Sequence, residues 1–140
     1  MLHIPYPQLE NLKIKDESNI KVLTGETVKK LEIDNYALMK CADALISDYS
    51  GVAYEYLQLD RPIGYVLDDV NDYIAGFVVE DIHTLIAGAE IYNFEQLESF
   101  IVNVVSENDS FKERREKIRN YIYEYHDANS SKRLVELLGL

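Results

Sequence analysis

Short apolar runs alternate with polar, turn-forming stretches through the first half of the chain. Leu2-His3-Ile4 reads as a strand end, closed by Pro5 and Pro7, through which no long helix runs. Gln8 to Asn19 is polar and irregular. Ile20-Lys21-Val22-Leu23-Thr24 alternates and is β-branched, which predicts a strand, punctuated by Gly25-Glu26-Thr27. Asp34-Asn35 caps a helix over Tyr36 to Cys41, and Asp43 closes it. Ala44-Leu45-Ile46 is the next strand end. The polar turn Ser47-Asp48-Tyr49-Ser50-Gly51 follows, then a helix with Val52, Ala53, Tyr56 and Leu57 on one face. Asp60-Arg61-Pro62 turns the chain into the strand Ile63-Gly64-Tyr65-Val66-Leu67. Strand, helix, strand, helix and strand across residues 20–67 predict an α/β fold, a parallel sheet covered by helices.

The second half is mostly helical. Asp68 to Asp81 is an acidic, turn-rich loop, and Phe77-Val78-Val79 reads as a short edge strand. The loop lacks the oxygen spacing, glycine and terminal Glu of an EF-hand, so it reads as solvated. Asn93 caps a helix with Gln96 placed for a capping box. Phe94, Leu97, Phe100, Ile101, Val104 and Val105 form its apolar stripe. Asn108-Asp109-Ser110 starts a further helix, from about Phe111 to Tyr125. Glu113 and Glu116 interleave with Lys112, Arg114, Arg115, Lys117 and Arg119, which reads as a solvated face. Asp127 to Arg133 is a loop before a last amphipathic helix at Leu134-Val135-Glu136-Leu137-Leu138.

Length and charge narrow the classes. At 140 residues the chain is read as one domain, residues 1–140. Three or four strands are too few for a complete doubly wound domain, so the chain reads as a fragment of a longer protein. A net charge of −11 argues against a general nucleic-acid surface but leaves room for a nucleotide. The single cysteine, Cys41, excludes an internal disulfide and sits in an apolar run, where it is expected to pack. No apolar run reaches membrane-spanning length, and the N-terminus lacks the pattern of a signal peptide. The three histidines, His3, His83 and His126, show no metal-ligand spacing, and there is no nucleophile elbow, Walker motif or G-x-G-x-x-G.

The chemistry concentrates in the turn. A strand that delivers Ser and Gly onto a helix start turns unpaired N–H groups outward and makes an anion site. Gly51 sets no Cβ against a phosphate. Glu55, four residues on, shares its face and is placed for the hydroxyls of a ribose. The same residues serve equally as an ordinary helix entry, with Asp48 or Ser50 as N-cap. His3 falls at a strand end, where α/β proteins bind ligands; a half-buried edge histidine fits the same place.

Ser47-Asp48-Tyr49-Ser50-Gly51-Val52-Ala53-Tyr54-Glu55-Tyr56, followed by Asp60-Arg61-Pro62-Ile63, resembles the CDP-glycerol glycerophosphotransferase family, the teichoic-acid polymerases and primases. Tyr36 to Asp43, Tyr73, Gly76-Phe77, Phe94 to Leu97 and Asp127 to Arg133 add to the likeness, which covers most of residues 20–138. The resemblance implies a Rossmann-like parallel sheet with flanking helices, a partial C-terminal lobe of a GT-B-type fold. It implies transfer of glycerol phosphate from CDP-glycerol to the hydroxyl of a glycerol-phosphate polymer or lipid-linked primer, with release of CMP. The motif's two serines hold the diphosphate and the later acid holds the ribose. These roles carry to Ser50, Gly51 and Glu55, with Asp48 beside them, and Gly51 replaces the second serine. A family histidine in a basic-x-His-Pro element corresponds to His3, although Pro5 is displaced by one position and the basic residue is absent. The other catalytic histidine belongs to an N-terminal lobe outside this chain. No cofactor is implied and a divalent metal is left open. The resemblance also implies action at the cytoplasmic face of the membrane, peripherally. A nucleotide-sugar glycosyltransferase or 2-epimerase lobe, and a non-catalytic nucleotide-binding or interaction domain, are the competing readings.

Overall fold

The computed structural model describes the backbone of residues 2–4 and residues 19–73 and 76–140 in full. Gln8 to Ser18 and the side chain of His3 lie outside the described residues. The chain groups into two compact units, residues 1–42 and 43–140.

In the first unit, β1 (Leu2–Ile4) pairs in parallel with β2 (Val22–Thr24), with the backbone of His3 opposite Leu23. The punctuating residues Gly25-Glu26-Thr27 belong instead to α1 (Gly25–Lys30). The reason is a cap: the Thr24 hydroxyl accepts from the Thr27 N–H at 3.2 Å, while Glu26 sits at the N-terminal end and Lys29 and Lys30 at the C-terminal end. In α2 (Asn35–Lys40) the Asp34 carboxylate accepts from the N–H groups of Tyr36 and Ala37, as its sequence predicts. Cys41 ends this helix and is exposed, which corrects the expectation of a packed thiol. An apolar neighbourhood in sequence does not place a helix-terminal residue on the inward face.

The second unit holds a three-stranded parallel sheet in the order β3 (Leu45–Ser47), β4 (Ile63–Val66), β5 (Ala89–Ile91). The sheet is flanked by helices, a Rossmann-like partial lobe. Hydrogen bonding thus divides the strands of residues 20–67 between two sheets. β4 is central and apolar on both faces. Ile63, Tyr65 and Leu67 are buried on one, while Gly64 lets Ile91 and Phe100 approach the other. The expected edge strand at Phe77-Val78-Val79 is not formed; the third strand is Ala89–Ile91. Its short run Ala89-Glu90-Ile91 carries a single β-branched residue, against the adjacent Val78 and Val79.

Three longer helices complete this unit: α4 (Phe94–Val105), α5 (Lys112–Ile122) and α6 (Ser130–Leu138). Asn93 caps α4 by accepting from the Gln96 N–H at 3.0 Å. Gln96 returns a bond to the Tyr92 N–H, one residue before the cap, at 2.7 Å. Only Phe100 of the α4 stripe is fully buried; Phe94, Ile101 and Val105 are exposed within the described residues. α6 starts four residues before its predicted apolar run, because Arg133 lies on its first turn and binds back to Asp127 at 2.9 Å.

The reading of α5 as a solvated face is corrected at two positions. Arg115 is buried and forms ion pairs with Asp109 at 2.7 Å and Asp60 at 3.0 Å. Arg114 donates to the carbonyls of Ile86 and His83. A helical wheel of alternating charges does not reveal which cations meet acids from elsewhere in the chain. Among the described residues, no helix is long and apolar enough to cross a membrane.

Candidate functional site

β3 ends at Ser47, and the chain turns through Asp48-Tyr49-Ser50 into α3 (Val52–Tyr56), which continues as a 3-10 turn over Leu57–Leu59. Ala53, Tyr56 and Leu57 are fully buried and fix this element on the sheet. The turn therefore stands at the C-terminal edge of a parallel strand, the side on which open α/β sheets bind ligands.

Neither Asp48 nor Ser50 caps the helix. The N-cap is Gly51, which makes no side-chain cap bond. Asp48 instead folds the turn onto itself: its Oδ1 accepts from the Ser50 N–H at 2.8 Å and from the Ser47 hydroxyl at 3.4 Å. This is an Asx turn, a short-range closure that competes with capping. The carbonyl of Ser50 accepts from the Ala53 N–H, and that of Gly51 from Tyr54 and Glu55. Among the described residues, no acceptor takes the N–H of Gly51 or Val52. These two donors, with the exposed Ser50 side chain, form the face available to an anion. α3 has five residues, so the local N–H groups, rather than a long helix dipole, would supply the attraction.

Gly51 has φ −54° and ψ −24°, ordinary right-handed backbone. A Cβ built there meets nothing within 4 Å. Neither strain nor crowding calls for glycine at this position, and a serine fits the same space. Glu55 is exposed one turn later, its N–H bonded to the Gly51 carbonyl at 3.4 Å. Ser50, Gly51, Glu55 and Asp48 are thus gathered on one short segment. His3 belongs to the other unit, and only its backbone is described.

Residues to which the sequence assigned no site role extend the turn. The Tyr49 hydroxyl donates to Asp69 Oδ1 at 3.2 Å, across from the loop after β4. Burial first, and then the Asp69 carboxylate, push the Tyr49 phenol up to about 12. The Tyr49 ring lies 4.4 Å from that of Tyr73 and 5.0 Å from that of Phe77. The available signal was that Tyr73 and Phe77 are the aromatics of an otherwise acidic loop. At the far end of the site helix, Asp60 adopts a left-handed conformation, φ 49°, and its side chain and carbonyl accept from buried Arg115.

A second polar cluster lies at β5. His83 Nδ1 is 3.2 Å from Glu90 Oε2, to which the Tyr92 hydroxyl donates at 2.6 Å. Among the described residues, no group of three or more His, Cys, Asp or Glu side chains is placed to hold a metal ion.

Teichoic acid ribitol-phosphate primase of Bacillus spizizenii (strain ATCC 23059 / NRRL B-14472 / W23) is 27% identical over 104 residues, 74% of this chain and 26% of that protein. The chain therefore spans about a quarter of the length of that relative. No solved structure matches. The profile of the CDP-glycerol:poly(glycerophosphate) glycerophosphotransferase family matches residues 8–139, nearly the whole chain. The chain belongs to that family.

Proposed function

We propose that this chain is the C-terminal, donor-binding lobe of a CDP-glycerol glycerophosphotransferase of GT-B type. The observation that carries the reading is the turn after β3. It is closed internally by Asp48, leaves the Gly51 and Val52 N–H groups without an acceptor among the described residues, and exposes Ser50. In this reading Ser50 and the two N–H groups hold the diphosphate, and Glu55 accepts from the ribose hydroxyls. Asp48 holds the turn in shape. As a carboxylate already bonded to Ser50, it contacts the donor less than it positions its neighbours.

The reaction is phosphoryl transfer by alignment and charge stabilisation. The acceptor hydroxyl of a glycerol-phosphate polymer or lipid-linked primer attacks the β-phosphorus of CDP-glycerol. The bond to the bridging oxygen breaks, and CMP leaves with that oxygen. The acceptor's proton passes to a histidine, the role assigned to His3. Asp48 and Asp69 crowd the turn with negative charge, so cations from an N-terminal lobe are needed to complete neutralisation. The enzyme would act peripherally at the cytoplasmic face of the membrane, where such acceptors are anchored.

Calorimetric titration of the 140-residue chain with CDP-glycerol, CDP-ribitol and UDP-sugars tests the donor. CDP-glycerol should bind most tightly, weakly in absolute terms, and turnover by the chain alone should be absent. Preference for a UDP-sugar would replace this reading with that of a nucleotide-sugar enzyme.

A further inference from the structure

Three aromatic rings stand beside the turn and take no part in the chemistry above. Tyr49 lies within the turn itself. Tyr73 and Phe77 come from the loop after β4 and stack on each other at 5.1 Å with their planes 27° apart. Tyr49 packs against both, tilted 55° to Tyr73 and edge-on to Phe77 at 82°. Its hydroxyl tie to Asp69 fixes the ring in place. Tyr49 and Phe77 are half-buried, whereas Tyr73 keeps 40% of its surface open. Asp68, Asp69 and Asp72 precede this open ring in the same loop. A ring braced by two others, yet open to solvent over 40% of its surface, offers a rigid π-face in an otherwise acidic loop.

Backbone donors for phosphate and an aromatic surface for a base are the two halves of nucleotide recognition, and here Tyr49 joins them. We propose that Tyr73, backed by Phe77 and Tyr49, is the stacking surface for the pyrimidine base of the donor nucleotide. The inference rests on the reading of the Ser47–Gly51 turn as the diphosphate site. Stacking tolerates any base, because every base has a π-face, so this surface supplies affinity and leaves the choice of cytosine to other groups.

The test uses the full chain as wild type, Tyr73→Phe and Tyr73→Leu, each checked for fold by circular dichroism. CDP-glycerol and inorganic pyrophosphate are titrated in parallel, and the cytosine ring protons are followed by NMR. Tyr73→Leu should weaken CDP-glycerol about 10-fold, Tyr73→Phe should stay within about 2-fold of wild type, and pyrophosphate should be indifferent to both. The cytosine H5 and H6 signals should move upfield on wild type and Tyr73→Phe and lose that shift on Tyr73→Leu. If Tyr73→Leu binds CDP-glycerol like wild type, or no upfield shift appears on wild type, the stacking surface is refuted while the diphosphate site stands. Equal weakening of both ligands would make Tyr73 a brace for the turn and also refute the proposal. If wild type binds neither ligand, the diphosphate reading itself fails and the proposal falls with it.

Discussion

Arg115→Ala should destabilise the second unit more than any surface substitution, because it severs the tie that closes the site helix. The guanidinium is 1% exposed and donates to Asp60 Oδ1 at 3.0 Å, to the Asp60 carbonyl at 3.3 Å, and to both oxygens of Asp109. Burial works against its charge, and the bonds to Asp109 and Asp60 outweigh that, holding its pKa above the ordinary arginine value. Breaking a buried pair costs about 3–5 kcal/mol when the partner is left dry. Here the side chains of Asp60 and Asp109 remain 34% and 25% exposed, so water recovers part of the loss. An effect of about 3 kcal/mol is expected, the low end of that range. Urea unfolding followed by circular dichroism at neutral pH should show the midpoint fall by about 2 M at an unchanged slope. The bond to Arg115 holds Asp109 below the usual carboxylate range, with burial opposing. Its folded pKa is depressed, so its contribution is full above the unfolded value of about 4 and is lost as pH falls through the folded one. The gap between wild type and variant should therefore shrink on acidification below that point. A loss under about 0.5 kcal/mol, or a gap that widens in acid, would refute the reasoning.

Gly51→Ser should leave the urea midpoint nearly unchanged, since a Cβ there meets nothing within 4 Å and φ is −54°. The added hydroxyl should tighten CDP-glycerol by up to about 10-fold in the same titration. Gly88→Ala should be poorly folded, because its Cβ would overlap the Ile63 carbonyl, and Gly64→Ala should cost about 1–3 kcal/mol by pressing on Ile91 and Phe100, both read by thermal melting. Ultraviolet titration of tyrosinate should show Tyr49, Tyr65 and Tyr92 ionising late, at about 12. Their folded values lie above the unfolded one, so their contribution holds below about 10 and is lost as pH rises from there to about 12. Tyr49→Phe should remove one of the late ionisations.

The core of the site was legible because strand, turn and helix signals are local. Leu45 to Tyr56 carries an apolar strand end, a polar turn and a helical apolar face within a dozen positions, and strand and helix formed where expected. Its hydrogen bonding was less legible. Asp48 closes on Ser50 rather than on the helix, a choice between two short-range bonds that residue type alone does not decide. The strand at Ala89–Ile91 was missed because pairing with buried β4, rather than its own propensity, makes it a strand. Arg115 was misread for the same reason, since its partners lie 55 and 6 residues away. The aromatic group of Tyr49, Tyr73 and Phe77 depends on a loop meeting a turn and has no periodic signature at all.

The central claim is that the turn after β3 and Glu55 hold the donor nucleotide. Titration of CDP-glycerol into the chain carrying Ser50→Ala and, separately, Glu55→Ala tests it most directly. Each lost hydrogen bond to a charged partner is worth about 1.5–3 kcal/mol, so each variant should bind about 10- to 100-fold more weakly than wild type with its fold intact. Wild-type affinity in both variants would place the nucleotide elsewhere and contradict the account.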